Sequence, residues 1–209
     1  MTAATSARSF VLIGQTALAS PDFSTEDLPS TSGRLDVLLR ALRAALLVSH
    51  GVRRDTRVYL VLRGGALAPR VVRVSGHDAK FLRPDERSLA ILLKKTLAAA
   101  ADDQLRELRP GVWSCRGDLE QVLRDVGDAP RYLLHEDGTD LRAEPSTLAA
   151  GTFFIGDHTG FASSTLELLE RAGCRRVSIG PLSLHTDDVV TIVSNELDRR
   201  AAAPPLSSA

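Results

Sequence analysis

The sequence has little cysteine and no long apolar run, and each shortage excludes a class of protein. Among its 209 residues only Cys115 and Cys174 are cysteines, with no CxxC or His–Cys spacing, so we expect small core residues rather than a zinc site or a disulfide framework. No stretch reaches the roughly 18 apolar residues typical of a membrane span. The first ten residues lack the organisation of a secretory signal, so we expect a cytoplasmic protein.

Common catalytic fingerprints are also missing. The chain contains no GxGxxG, P-loop or GxSxG sequence, which argues against the ordinary nucleotide-binding folds and against a serine hydrolase. His135, Asp157, His158 and His185 could converge, but no two histidines have H-x-x-x-H spacing and no cysteine joins them. We therefore predict no metal site, and expect Asp157 to cap a helix and the histidines to form orienting hydrogen bonds.

The formal net charge is zero because two oppositely charged halves cancel. Residues 1–100 hold 15 Lys and Arg against 8 Asp and Glu, a balance of +7, whereas residues 101–209 hold 11 against 18, a balance of −7. Only three residues of the protein are lysines. Guanidinium groups bind phosphates and stack on bases, so the first half could contact RNA. A solvated arginine-rich surface produced by codon bias explains the composition equally well.

Short apolar strands that alternate with helices predict an α/β protein with a parallel sheet. We expect one domain at 9–200 between disordered ends at 1–8 and 201–209. The predicted strands are 9–14, 57–62, 70–74, 111–115, 131–135, 151–155 and 176–179. The predicted helices are 33–50, 84–100, 118–126, 161–172 and 187–200, and residues 20–32 read as a polar loop. The second and third strands suggest a hairpin or an excursion of the sheet.

Three glycine-containing loops follow predicted strands, at the ends where parallel sheets bind ligands. They are 134–138 (LHEDG), 156–161 (GDHTGF) and 178–185 (SIGPLSLH). Glycine lets the backbone turn tightly or approach a ligand closely. Each loop alone could be only a turn, but the three together form a candidate ligand site.

Together these loops resemble the SPOUT (α/β-knot) methyltransferases, specifically the archaeal family that methylates N1 of pseudouridine 54 in tRNA. The resemblance spans about Ser9 to Arg200 and is carried by FVLIG, LPSTSGRLDVLLRAL, LVSHGVRRDTRVYLVL, FLRPDERSLAILLKKTL, LLHEDG, FFIGDHTGF and VSIGPLSLHTDDVVTIVSNELDRR. The last three stretches are specific as a set, as is the pairing of GRLD with HGVRRD. The chain departs from the family at 184–189, where it reads LHTDDV and archaeal members commonly read LHADHC.

The resemblance implies a parallel-sheet-based fold with a C-terminal deep trefoil knot, a homodimer, and S-adenosylmethionine bound close to the dimer interface. Such a site mainly orients an in-line attack on an already activated methyl group. The residues implied to contact the cofactor are Leu134, His135, Gly156, Asp157, Ile179, Gly180, Pro181, Leu184 and Val189.

The same resemblance implies an RNA substrate, with tRNA as the first candidate. Asp36 in GRLD and Asp55 in RRD are candidates to accept or orient the N1 proton of pseudouridine, although ion pairs with adjacent arginines would explain both equally well. The candidate RNA-binding residues are Arg34, Arg53, Arg54 and Arg83. Two other functions stay open: a knot-fold methyltransferase acting on a small nucleoside or other metabolite, and a non-catalytic RNA-binding knot protein.

Overall fold

A mixed eight-stranded sheet organises the computed structural model, which describes residues 8–144 and 150–202. In chain order the elements are β1 (Arg8–Leu18), α1 (Leu28–Thr31), α2 (Leu35–Leu46), β2 (Leu47–Val48), β3 (Gly51–Val52), β4 (Thr56–Gly64), β5 (Arg70–Ser75), α3 (Glu86–Ala98), β6 (Arg106–Arg109), β7 (Val112–Arg116), α4 (Leu119–Val126), β8 (Arg131–Asp140), β9 (Gly151–Gly156), α5 (Ser163–Arg171), β10 (Arg175–Ser178) and α6 (Thr186–Ala202). A short 3₁₀ turn, Leu141–Ala143, follows β8.

The strand order is β10-β8-β9-β1-β4-β5-β7-β6. Strands β10, β8, β9, β1 and β4 are parallel, whereas β5, β7 and β6 continue the sheet with antiparallel pairs. The predicted α/β class with a mostly parallel sheet is therefore confirmed, and the predicted hairpin is the β4–β5 pair. Strand β6 and the small β2–β3 hairpin, which ends the helix predicted at 33–50, were missed by the prediction.

Two apolar layers cover the sheet, which explains why its central strands are nearly continuous apolar runs. In β1, Phe10 and Leu12 face a cluster formed with α2, α3 and α6, and Val11 and Ile13 face a cluster formed with α4 and α5. All four side chains are completely buried. The free cysteines Cys115 and Cys174 lie in the second cluster, and burial raises the pKa of each thiol to about 11.

Hydrogen bonds from the first residue of β1 attach α6 to the sheet. Arg8, the first residue of β1, donates to the carboxylate of Asp198 at 2.8 Å and to the carbonyl oxygen of Ser194 at 3.2 Å, both in α6. The predicted disordered ends at 1–8 and 201–209 lie largely outside the described residues. Where the structure describes them, Arg8 belongs to β1, and Ala201 and Ala202 belong to α6.

Arg70 joins α3 to the antiparallel part of the sheet. The residue is only 3% exposed, and its guanidinium donates four hydrogen bonds: to the hydroxyl of Ser114 in β7 and to the carbonyl oxygens of Thr96, Leu97 and Ala99. Because carbonyl groups at the end of a helix have no partner inside the helix, one buried arginine satisfies the end of α3 and fixes it to β5.

We expect Arg70→Met to lower the free energy of unfolding by roughly 2–4 kcal/mol, since buried carbonyl groups would lose their donor. Chemical denaturation monitored by circular dichroism measures this loss. Arg106→Met is the matched control, because Arg106 is exposed and pairs only with exposed Asp102; it should cost less than about 0.5 kcal/mol. Equal losses in both variants would contradict a structural role specific to Arg70.

Candidate active site

A cleft of about 420 Å³ lies where β8, β9 and β10 end. These strands are mutually parallel, so their carboxyl ends meet at one edge of the sheet, the usual position of ligand sites in such folds. The volume falls within the range of small-molecule sites. The three glycine-containing loops singled out in the sequence all contribute to its walls.

The turn after β9 is held together by the carboxylate of Asp157, whose side chain is only 2% exposed. One carboxylate oxygen accepts from the backbone N–H of Gln15 at 2.7 Å, and the other accepts from the N–H and hydroxyl of Thr159 at 2.8 and 2.6 Å. A Cβ at Gly156 would lie 2.8 Å from the carbonyl carbon of Gly160, so only glycine permits this close backbone approach. The predicted helix cap at Asp157 is instead a clamp on a turn and on the end of β1.

One wall of the cleft is formed by β8, at the point where its pairing with β10 is interrupted. Consecutive residues Arg176 and Val177 of β10 pair with Leu133 and Thr139 of β8, so residues 134–138 form a bulge in the pairing of these two strands. The imidazole of His135 accepts a hydrogen bond from the N–H of Asp137 at 3.2 Å within this bulge. The bulge places Leu134, His135 and Glu136 in the wall of the cleft.

The segment between β10 and α6 forms another wall of the cleft. The Ser178 hydroxyl donates to the carbonyl oxygen of Gly180 at 2.7 Å and accepts from its N–H at 3.1 Å, which closes a tight turn. Gly180 has φ +152°, and a Cβ there would meet no atom within 4 Å. The Thr186 hydroxyl then donates to the carbonyl oxygen of Gly156 at 3.0 Å. This bond joins the start of α6 to the turn after β9.

The structure brings together eight of the nine residues predicted to contact a cofactor. The eight that line the cleft are Leu134, His135, Gly156, Asp157, Ile179, Gly180, Leu184 and Val189. Pro181 is exposed and is not among the lining residues. Ile155, Ser178 and Thr186 also line the cleft and were missed. Their positions at the end of a strand or the start of a helix were the signal that could have indicated them.

Arg34 and Asp36 lie beside the same edge of the sheet. The backbone of Leu18, at the end of β1, donates to Ser32, and the hydroxyl of Thr16 donates to the carbonyl oxygen of Gly33, so the start of α2 is fixed close to the turn that Asp157 holds. Arg34 has φ +67°, a left-handed conformation that is uncommon for a residue other than glycine. Its side chain is 39% exposed.

Asp36 binds two arginines with a buried carboxylate that is 2% exposed. Arg34 donates to both oxygens at 3.0 and 3.1 Å, and Arg40 donates to one of them at 3.0 Å. Burial by itself would raise the pKa of Asp36, but the hydrogen bonds and charges of the two arginines outweigh it and hold the pKa below its ordinary value. Asp36 raises the pKa of Arg34 in return, with a smaller contribution from the charge of Asp157.

Asp55, Arg53 and Arg54 lie at the opposite edge of the sheet from the cleft. Asp55 precedes β4 and forms a 3.1 Å ion pair with Arg8 at the start of β1. Arg53 pairs with Asp198 at 2.7 Å, and Arg54 donates to the carbonyl oxygens of Gly76 and His77. The two edges are about 20 Å apart, because the six residues of β9 span the sheet between them at about 3.3 Å per residue. Asp55 and Asp36 are therefore not brought together within one chain.

Arg83 lies on a third surface, in the exposed segment before α3. It lines a separate cavity of about 380 Å³ together with residues of α3 and β6. The four predicted RNA-binding arginines are thus distributed over the edge near the cleft, the opposite edge and the antiparallel end of the sheet, rather than collected at one site.

Within residues 8–144 and 150–202, no group of three or more His, Cys, Asp and Glu side chains has an arrangement that could hold a metal ion. In the same part of the chain, no helix combines the length and apolar character needed to cross a lipid bilayer.

Comparisons with known proteins identify the family. The chain belongs to the family described as "Putative SAM-dependent RNA methyltransferase", whose model matches residues 7–202. The tRNA (pseudouridine(54)-N(1))-methyltransferase of Methanosarcina mazei is 40% identical over 195 residues, covering 93% of this chain and 92% of the relative. The protein of the same name from Halobacterium salinarum is 41% identical over 194 residues, covering 91% and 96%. The resemblance found in the sequence is confirmed.

Among solved structures, that of Archaeoglobus fulgidus Nep1 bound to S-adenosylhomocysteine matches with a TM-score of 0.68 and 18% identity, covering 94% of this chain and 100% of the other. At this identity the similarity shows the fold alone. It supports the mixed α/β architecture with a mostly parallel sheet.

We expect the contribution of Asp36 to stability to depend on pH. Because its pKa is lowered on folding, its stabilisation is fully present above the unfolded value of about 3.9 and is lost as pH falls through the lower folded value. Asp36→Asn should therefore lower the free energy of unfolding at pH 7 by about 1–2 kcal/mol, a range that allows for the partly exposed arginines, and the difference from the parent should shrink below about pH 4.

Urea denaturation of both proteins at several pH values measures the difference. Asp102→Asn is the control, because Asp102 is exposed and has one exposed arginine partner. A difference between parent and Asp36→Asn that stays constant from pH 7 to pH 3 would show that the ion pairs with Arg34 and Arg40 are not its cause.

Proposed function

We propose that this chain transfers a methyl group from S-adenosylmethionine to N1 of pseudouridine in tRNA, at position 54 as in the names of its relatives. The observation that carries the proposal is the cleft at the ends of β8, β9 and β10, in a chain that is 34–41% identical to eight curated proteins of that name over nearly its full length.

The cleft fits an amphipathic cofactor with an aromatic base at one end. Leu134, Ile155 and Val189 provide apolar surface, and the interrupted β8 and the turn at Gly180 provide backbone donors and acceptors. Because Gly180 has no side chain, the wall of the cleft has open space at this position. When bound, S-adenosylmethionine supplies an activated methyl group on sulfonium for in-line transfer. Leu134, Ile179 and Leu184 would hold its adenine.

Arg34 is the residue that we assign to the acceptor base. Its backbone is in a left-handed conformation, and its side chain is partly exposed. Two hydrogen bonds to the carboxylate of Asp36 fix the orientation of its guanidinium. As the N1 proton leaves, negative charge develops on the carbonyl oxygens of the base, and a fixed guanidinium stabilises it. The proton passes to water.

Asp36 accordingly acts as a positioning residue in this proposal. A carboxylate whose pKa is lowered and whose two oxygens already accept from arginines is a poor proton acceptor. Asp55 takes no part in the cleft of its own chain, because it lies at the other edge of the sheet.

A trefoil knot and a homodimer belong to the same proposal. Helix α6 follows the edge strand β10 yet packs against α2 and reaches Arg8, a path that is consistent with passage of the C-terminal segment through a preceding loop. The exposed side chains of Leu182 and Leu184 at the rim of the cleft support a second copy close to the cofactor site. A cytoplasmic location stays a prediction.

We expect Gly180→Val to weaken S-adenosylmethionine binding at least about tenfold, because the added side chain occupies space in the cleft wall. Isothermal titration calorimetry measures the affinity. Gly173→Val is the matched control: Gly173 also has a positive φ and open space around its Cβ position, but it lies after α5 and outside the cleft. Equal binding by parent and Gly180→Val would contradict the assignment of the cleft.

The function itself is tested with two tRNA transcripts that differ only at position 54, one carrying pseudouridine and the other uridine. We expect labelled methyl from S-adenosylmethionine to enter the pseudouridine transcript alone, and nucleoside mass spectrometry to locate it on N1. Methylation of free pseudouridine but not of tRNA would instead favour a metabolite enzyme. RNA binding without cofactor binding would indicate a non-catalytic protein, and either result overturns the proposal.

A further inference from the structure

Phe81 is presented to solvent at the antiparallel end of the molecule. Its side chain is 96% exposed, more than any other large apolar side chain in the described part of the chain, and its φ is +59°. Arg34 is the other non-glycine residue with positive φ in residues 8–144 and 150–202. Residues kept in such conformations are concentrated at binding and catalytic sites.

The loop that carries Phe81 is fixed on both sides of it. Before it, buried Ala79 donates to the carbonyl oxygen of Ser75, and Arg54 holds the carbonyl oxygens of Gly76 and His77. After it, Leu82 packs against the main core. The ring is therefore held outward by an anchored loop, and its exposure is a property of the fold.

Four cations lie near this ring. They are Lys80 and Arg83 beside it, Lys95 in α3 and Arg109 at the end of β6. All four are exposed, and among the described residues none of them forms an ion pair or a hydrogen bond. The cavity of about 380 Å³ next to Phe81 is lined by three of these cations and by no acid.

The acids in the vicinity accept hydrogen bonds from neutral groups, and the charge of Arg83 also helps to lower the pKa of Asp85. Asp78 accepts from the hydroxyl of Ser75 at 2.9 Å, Glu107 accepts from the N–H of Gly111 at 2.9 Å, and Asp85 caps α3 by accepting from the N–H of Ser88 at 2.7 Å. The cavity next to Phe81 therefore combines a flat apolar face with three cations and no acid in its lining, while Asp78, Asp85 and Glu107 keep their negative charge outside it.

We propose that this surface, defined by Phe81, Lys80, Arg83, Lys95 and Arg109, binds an unpaired stretch of RNA. One base stacks on the ring of Phe81, and the flanking phosphates contact the four cations. Stacking on an aromatic side chain within a positive groove is how proteins bind single-stranded nucleic acid without reading its sequence. The proposal rests on the proposed function for its biological setting, since it adds an RNA contact to an RNA methyltransferase.

A second copy of the chain fits this surface poorly. A two-fold symmetric interface uses the same patch of both copies, so it would bring the four cations of one copy close to those of the other. A polyanion neutralises them and releases counterions. Charge complementarity therefore favours RNA as the occupant.

The surface is far from the cleft of the same chain. Strand β5 is antiparallel to β4, so the loop after it lies at the edge opposite to the cleft, and β6 is five strands away from β9. At about 4.8 Å per strand this is roughly 24 Å across the sheet. A free nucleoside in the cleft could not reach Phe81, whereas a tRNA can occupy both.

The test compares Phe81→Ala, Phe81→Leu and Phe81→Trp in fluorescence-anisotropy binding to a labelled single-stranded oligouridine and to a full tRNA transcript. Loss of the ring should weaken oligouridine binding roughly 5- to 100-fold, Leu should not restore it, and Trp should. Leu67→Ala is the control, because Leu67 is also an exposed loop residue. A blunt RNA duplex, whose bases are already stacked, should bind all variants equally.

The contribution of charge is measured in the same assay. Arg83→Ala should reduce the slope of log affinity against log salt by about 0.7, the value for one phosphate contact on a single strand. Arg87→Ala, which removes a cation that pairs with Glu26, should change the slope less. In turnover assays Phe81→Ala should raise KM for tRNA and leave kcat and S-adenosylmethionine affinity unchanged.

The outcomes separate this proposal from the proposed function. Unchanged oligouridine and tRNA affinity in Phe81→Ala would overturn the RNA surface even if the protein methylates tRNA, and would leave a protein partner as the occupant. Ring-dependent RNA binding in a protein that transfers no methyl group would support the surface and overturn the function.

Discussion

The carboxylate of Asp157 is the constraint on which the cleft depends. It binds the end of β1 through the N–H of Gln15 and closes its own turn through Thr159. The adjacent Gly156 carbonyl receives the hydroxyl of Thr186, so the start of α6 is placed relative to the same turn. A buried carboxylate with three N–H and O–H donors is stable only while those donors stay in place. The cleft walls therefore depend on one another rather than on three independent loops.

The location of the sheet and of the cleft could be predicted from the sequence because both follow from local pattern. Continuous apolar runs such as Phe10–Ile13 indicate strands buried on both faces, and glycines after them indicate loops at the ligand-binding edge. The interruption of β8 could not be predicted, since Leu134–Gly138 reads as a strand end followed by a turn. Only the pairing of Arg176 and Val177 with residues on either side of it creates the bulge.

The two aspartates illustrate a limit of motif reading. Asp36 and Asp55 both follow arginine-containing stretches, and nothing local distinguishes them. Their positions differ because Asp36 lies in the first turn of a helix that begins at the carboxyl edge of the sheet, whereas Asp55 precedes a strand that begins at the amino edge. Topology decides which of them lies near the cleft, and topology is a property of the whole chain.

The arginine excess of the first half also has a different meaning in the structure than in the composition. Arg8 and Arg53 pair with carboxylates and Arg70 binds helix carbonyl groups, so much of the +7 balance stabilises the fold and is not offered to a ligand. An ion pair that is already made contributes little to phosphate binding, because its partner must be displaced first. The cations available to RNA phosphates are those that the fold leaves unpaired, and around Phe81 they coincide with a strained backbone and an exposed ring. A left-handed backbone conformation costs about 1–2 kcal/mol at a residue other than glycine. In the described chain two such residues adopt it: Arg34 beside the cleft and Phe81 beside those cations. A substrate long enough to contact both positions gives each of them a function, and a small metabolite does so only for the first.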